Sequence, residues 1–544
     1  MENELPLGSR SRLYRAFEML PAAVSYGMLV LVVILPLFSP RLAAMYVLGI
    51  VVITLIRAAR GAVDAARGFR RVRRGERTDW SGRLDDFVDP AAALRRPDDP
   101  TSTRREALLH RRALARALWH PNEAPHPDDI VHAVIVAAYN EPYEVIAPTI
   151  RSLVEARPSR GPMVVFLAYE ERGGAEMART ARRLRDEFHD AFRAFELAEH
   201  PRDLPGEIAG KGANISCAGA QLARWTAARG IEPSRVIVTT LDCDNKPHPQ
   251  YFDAVSAAFL AHPHRTRASF QPVSLFLNNI WDAPAPSRVV ASGNSLWNLI
   301  SAVRPGSLRN FASHSQPLDA LIEMDFWSRR TIVEDGHQYW RSYFHFRGDY
   351  EVVPIPLPIY QDAVMAHSYR QTLVAQFQQL SRWSYGASDV PYVAVRVFGP
   401  YRPAPFWPSL RRFLSLLEGH VTLASLAIIV AIGGWIPVAL ATPRARLDEL
   451  VENLPVFVSS TQQIAMLGLI VSIALAWRLL PPRPERHGRA RSLGMILQWL
   501  LFPLTMIAYN AVTALVSQGQ LALGAYRERF DVTVKSAVPA DRKA

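Results

Sequence analysis

The chain has 544 residues, 49% apolar and 21% charged, with 62 Lys and Arg against 50 Asp and Glu for a formal charge of +12. That length allows several domains, or one domain with a membrane region. Only Cys217 and Cys243 occur, which excludes a disulfide-built scaffold; the basic excess suits nucleic acid, anionic lipid or a polyphosphate substrate, and the placement of the arginines decides between them.

The first elements are two apolar runs, residues 20–38 and 42–56, joined by Ser39-Pro40-Arg41. A bilayer crossing takes roughly 17–25 residues, so residues 1–60 are expected to form a transmembrane hairpin. Arg57, Arg60, Arg67 and a cluster over 70–74 follow at once. By the positive-inside rule both flanks of the hairpin are cytosolic, and membrane lipids are a partner. Phe69 alone is interleaved with these arginines, whereas single-strand binding stacks successive bases on several rings, so no nucleic acid is expected as a partner. Residues 61–128 read as a basic juxtamembrane linker with one helix over 104–119.

From residue 129 the texture becomes globular. Strands are predicted at 130–138, 163–168 and 236–241, with helices over 145–156, 174–198, 211–229 and from about 249. Further strands are expected at 268–276 and 351–355. This alternation predicts a Rossmann-like α/β domain with a mostly parallel sheet over 129–398. Residues 399–418, with Phe406, Trp407, Arg411, Arg412 and Phe413, suit an amphipathic helix lying in the bilayer interface. Residues 419–517 hold three more apolar runs, 421–441, 464–480 and 493–516, the last divided by Pro503 and therefore able to form a re-entrant hairpin. Five spans put the tail, 518–544, on the far side.

The chemistry begins where the strand 236–241 ends in Asp242-Cys243-Asp244-Asn245. Alternate residues of an extended chain share a face, so Asp242 and Asp244 present two hard oxygen ligands at the lip of the sheet, a pattern suited to Mg²⁺ or Mn²⁺ with substrate phosphates. Cys243 reads as a small buried strand-end residue, with a third metal ligand as the alternative. Upstream, Tyr139-Asn140-Glu141-Pro142 leaves the first strand where nucleotides bind in open α/β sheets; an ordinary strand–helix turn is the plain reading. Gly210-Lys211-Gly212-Ala213-Asn214 opens a helix with a lysine suited to phosphate, or forms a solvated turn. Downstream, Val333-Glu334-Asp335-Gly336 offers a carboxylate for general-base work or a favourably charged helix start. Last, Gln379-Leu380-Ser381-Arg382-Trp383 pairs a phosphate clamp with a sugar-stacking ring, or rests on the membrane.

In this order, between an N-terminal hairpin and several later spans, the motifs resemble the membrane-embedded family-2 glycosyltransferases, the cellulose and hyaluronan synthases among them. The resemblance implies a GT-A-like cytosolic domain on an integral protein of the bacterial inner (plasma) membrane. It implies a nucleotide-sugar donor, a UDP-sugar in first place, and a growing polysaccharide or a lipid-linked sugar as acceptor. Tyr139 and Glu141 would contact the base, Asp242 the ribose and diphosphate beside Lys211, and Asp244 the metal. Asp335 would be the base, and Gln379, Arg382 and Trp383 would bind the acceptor end and donor diphosphate. Phe530-Asp531-Val532-Thr533 resembles the family's gating segment. The sequence departs from the family at Ala168-Tyr169-Glu170-Glu171, where an Asp pair is usual and Glu170 stands in, and at Phe311-Ala312-Ser313, where cellulose synthases carry Phe-Cys-Gly. A non-catalytic membrane scaffold is the rival class.

Overall fold

The computed structural model describes residues 4–6, 8, 10–441 and 448–527; the segment resembling a gate, 530–533, lies outside them. Eight strands form one sheet: β1 Val131–Ala138, β2 Met163–Glu170, β3 Ala194–His200, β4 Val236–Asp242, β5 Lys246–Pro247, β6 Ala268–Phe276, β7 Ser315–Pro317 and β8 Glu351–Gln361. Their order is β3-β2-β1-β4-β7-β6-β8-β5. The first four run parallel, and β6 runs parallel to β8, while β7 and β5 are antiparallel to their neighbours. The fold is thus a mostly parallel α/β sheet with a helical membrane region.

Helices cover both faces of the parallel half, so β1 and β2 have no solvated side and read as almost unbroken apolar runs. Packing into the layer on one face are Ile146 and Ile150 of the helix Tyr143–Glu155; on the other sit Ile215, Ala218 and Leu222 of the helix Lys211–Ala227. Each such side chain contributes about 1.5–3 kcal/mol on leaving water. Parallel strands end together, so the register Ala137↔Asp242 and Glu170↔His200 sets the residues after β1, β2 and β4 along one edge.

The helix expected over 174–198 is corrected. It ends at Phe188, and Ala194–His200 becomes strand β3, paired with β2 from Val164↔Ala194 to Glu170↔His200. As an edge strand β3 buries only Phe195, Ala198 and His200, and its exposed glutamates imitate a charged helix face. Residues 77–128 are also less linker-like than expected, because Trp80, Leu84, Phe87, Ala93 and Leu114 enter the core.

Among the described residues five helices are long and apolar enough to cross a membrane: Arg12–Phe38, Pro40–Gly75, Phe406–Ile432, Glu449–Leu479 and the interrupted Arg489–Leu523. The second continues past its apolar half as a basic stalk against the sheet domain. There Arg71 donates to the carbonyls of Ala302 and Pro354, and a Cβ at Gly68 would stand 2.2 Å from the Leu299 carbonyl oxygen. The interface segment expected before a separate span instead starts one continuous helix, Phe406–Ile432. Around Pro503 the last span follows one helical path through a π-helical turn, Met506–Ala511, in place of a re-entrant hairpin.

Candidate functional site

A single cavity of about 1150 Å³ runs from the carboxyl edge of the parallel strands to the helices Phe406–Ile432 and Arg489–Leu523. Tyr139, Glu141, Lys211, Asp242 and Asp244 line the sheet end. Asp335, Gln379, Arg382 and Trp383 line its continuation toward the membrane helices. The fold therefore gathers every residue named from the sequence around one space.

Its centre is Lys211, at the start of the helix Lys211–Ala227. The Lys211 ammonium lies 2.9 Å from Asp242 Oδ1, 3.2 Å from Asp335 Oδ2 and 3.5 Å from Glu334 Oε1. Two neighbours in the Gly-Lys-Gly-x-Asn run fix this placement. Asn214 donates to the carbonyls of Ala138 and Ala168, both at 3.1 Å, pinning the helix to the ends of β1 and β2. Gly212 lies so close to the Glu334 loop that a Cβ there would stand 2.2 Å from the Ser328 carbonyl oxygen.

Burial works against the lysine's charge, but Asp242, Asp335 and Glu334 outweigh it and hold the ammonium well above the ordinary lysine range. Burial also pushes the Glu334 carboxyl up; Asp335 beside it acts the same way and Lys211 pulls it back. Three carboxylates thus face one ammonium, an acidic surplus that favours an incoming cation.

His314 approaches Asp335 Oδ1 to 3.9 Å, yet its nitrogens are already committed. Its Nδ1–H donates to the Phe311 carbonyl at 2.9 Å, and Nε2 accepts from the Trp327 indole N–H at 3.3 Å. Burial lowers its pKa, so the ring is neutral. That leaves Asp335 as the acid–base group open to the cavity at this point.

Asp244 is held on several sides. The Asn245 amide donates to Asp244 Oδ1 at 3.1 Å and accepts from the Asp242 N–H and the Ser313 hydroxyl. Asp244 Oδ2 accepts from the Asp362 N–H at 3.3 Å. Ser313 adopts φ +72° to reach this position, a strained conformation for a residue with a side chain. Among the described residues no three His, Cys, Asp or Glu side chains gather closely enough to hold an ion by themselves. An oxygen-only pair fits Mg²⁺ or Mn²⁺ taking its remaining ligands from diphosphate and water. Cys243 is buried at the strand end.

At the sheet edge the Glu141 carboxylate accepts from its neighbour's N–H, Tyr139, at 2.7 Å, and Arg172 lies over the Tyr139 ring. Glu170, which stands in for the usual acid, is buried between Arg172 at 2.8 Å and His200 at 3.2 Å. Burial opposes a charged His200, but Glu170 and Glu207 prevail and raise its pKa to about 9.

The helix Tyr369–Ser384 delivers Gln379, Arg382 and Trp383. Gln379 Oε1 accepts from Gln376 at 3.2 Å, and Trp383 packs on Phe276 with ring centroids 6.0 Å apart. The Ser381 carbonyl accepts from Ser517, and Ser384 bonds Thr513, tying this helix to the last span. Sequence reasoning gave no role to Trp297, Arg309, His314 or Asp389, although Arg309 and His314 flank the Phe311-Ala312-Ser313 run and Asp389 closely follows Trp383.

No family model matches the chain, and no curated protein matches it. Solved structures do match. The crystal structure of S. aureus TarS aligns at 11% identity and a TM-score of 0.27, over 62% of this chain and 55% of that one. GalNAc-T7 with UDP, GalNAc and Mn²⁺ aligns at 10% identity and 0.29, over 53% and 55%. Residues 1–349 of TarS align at 13% and 0.29, over 62% and 90%. The chain spans about half the length of the first two, and superpositions this loose carry no argument about activity.

Proposed function

We propose that the chain is an inverting, metal-dependent membrane glycosyltransferase of the family-2, cellulose- and hyaluronan-synthase-like type. It moves a sugar from a nucleotide-diphosphate donor, a UDP-sugar in first place, to a hydroxyl of a growing polysaccharide. What supports this reading is the shared cavity, with an acid pair, a lysine and a base at one end and membrane helices at the other.

The uracil-type base lies by Tyr139 and Glu141, and the diphosphate by Asp242, Lys211 and Arg382. Asp244 with Asp242 would hold Mg²⁺ or Mn²⁺, which would supply charge neutralisation for the departing diphosphate. Asp335 takes the proton of the acceptor hydroxyl, whose oxygen bonds to the anomeric carbon in line as the bond to the diphosphate breaks. Gln379 and Trp383 orient the acceptor, and the sheet domain lies on the cytosolic side. A lipid-linked sugar as acceptor is the second reading, favoured by the cavity's extension between two membrane helices.

The test is nucleoside diphosphate release by the full chain in nanodiscs, offered UDP- and GDP-sugars with Mn²⁺. Release from one sugar, lost in Asp335→Asn and Asp244→Asn, supports the reading. Release from none rejects it in favour of a non-catalytic scaffold, and release by both variants equal to the parent's rejects the assignment of Asp335 and Asp244.

A further inference from the structure

Arg309 lines the membrane-facing part of the cavity and differs from the cavity's Lys211 and Arg172. Lys211 and Arg172 stand in ion pairs. Arg309 has no hydrogen bond or ion pair among the described residues; its guanidinium lies over the Trp340 ring, 4.6 Å from the centroid. Burial lowers its pKa, Asp389 supports its charge from a distance, and Arg412 on the helix Phe406–Ile432 opposes it. Asp389 is engaged elsewhere, 2.6 Å from His337 Nδ1. A desolvated cation without a counter-ion is costly to keep, and a planar guanidinium matches the paired oxygens of a phosphate.

The walls beyond it come from the membrane helices, where apolar Leu416, Leu423, Phe502 and Met506 alternate with Ser415, His420, Thr505 and Asn510. The four apolar side chains offer contact to a hydrocarbon tail. On the sugar-facing side Trp297 and Phe311 pack edge to face at 4.8 Å, and both line the cavity, giving an aromatic surface for a pyranose ring.

We propose that this end of the cavity is a phosphate subsite, in which Arg309 on Trp340 grips the headgroup of a lipid-phosphate-linked acceptor whose tail lies between the two membrane helices. The phosphate is held and not transformed; the attacking group remains a sugar hydroxyl directed at Asp335. This deepens the glycosyltransferase reading of the same cavity by naming the acceptor class, and it rests on that reading.

The test is a binding measurement without turnover. The full chain, in nanodiscs of neutral phosphatidylcholine, is titrated with geranylgeranyl phosphate, geranylgeraniol, inorganic phosphate or a glucuronic-acid tetrasaccharide, following tryptophan fluorescence. Expected is saturable binding of the lipid phosphate at least tenfold tighter than of the alcohol or inorganic phosphate, weakened about tenfold or more in Arg309→Gln, as loss of one charge-assisted pair implies. Arg309→Lys, which keeps the charge, should retain most of it. Equal binding of phosphate and alcohol by the parent overturns the proposal without any variant. So does unchanged affinity in R309Q, or tighter binding of the acidic tetrasaccharide than of the lipid phosphate. Arg309-dependent binding in a chain that releases no nucleoside diphosphate would keep the subsite and reject the transferase; release without such binding would do the reverse.

Discussion

The two ends of the cavity handle charge in opposite ways. At the sheet end Lys211 is enclosed by Asp242, Glu334 and Asp335, and Glu170 by Arg172 and His200. At the membrane end Arg309 lies over an aromatic face and, among the described residues, forms no ion pair. Mutual pairing holds each sheet-end group in place before a substrate arrives, which is what positioning for chemistry requires. The unpaired guanidinium keeps its hydrogen-bonding capacity for a ligand. Preorganisation belongs to the sheet end and an uncommitted cation to the membrane end.

Substitutions test that contrast, and the largest effect is expected at Asp244, the proposed metal ligand. Asp244→Asn should reduce nucleoside diphosphate release by roughly a hundred- to thousandfold, the scale for losing one stabilising group at a developing charge, with the melting temperature nearly unchanged. Next is Lys211→Met, which strands three carboxylates. Removing one partner of a buried ion pair costs about 3–5 kcal/mol, and because Glu334 accepts a proton readily the lower end is expected. Chemical denaturation would register it, and a neutral result would show that the pairing is not structural.

Gly212→Ala forces a methyl toward the Ser328 carbonyl. Overpacking of this kind costs about 1–3 kcal/mol, and it should lower turnover more than donor affinity by shifting Lys211. The smallest effect concerns pH. The folded pKa of His200, about 9, exceeds its unfolded value of about 6.5. Its stabilising contribution is therefore complete below about 6.5 and is lost as pH rises toward 9. Melting temperature should fall across that window, and His200→Gln should flatten the fall.

How much of this was legible in the sequence differs between the same two ends. Strand β4 and its two acids were readable because an unbroken β-branched run buried on both faces leaves little alternative. The motif residues were legible because each follows a strand or opens a helix, and a parallel sheet brings such positions to one edge. Strand β3 was not, since an edge strand with one buried face and exposed glutamates shares its composition with a charged helix. The acceptor end was hidden for another reason. Arg309, Trp297 and Trp340 sit on elements that no periodicity links, and only the packing of the helix Phe406–Ile432 and the last span against the sheet domain sets them beside Asp389. The stalk of the second span was misread as well, because arginines docking on carbonyls look in sequence like arginines facing lipid.

The central claim, that Asp335 acts on an acceptor in a cavity already holding the donor, is tested most directly by measuring donor affinity and sugar transfer on one variant. For Asp335→Asn in nanodiscs with Mn²⁺, calorimetric affinity for the donor should stay within about twofold of the parent, while transfer of labelled sugar falls by about 10²–10⁴, the range for loss of a general base. Transfer at the parental rate, or loss of donor binding in proportion to transfer, would contradict the account.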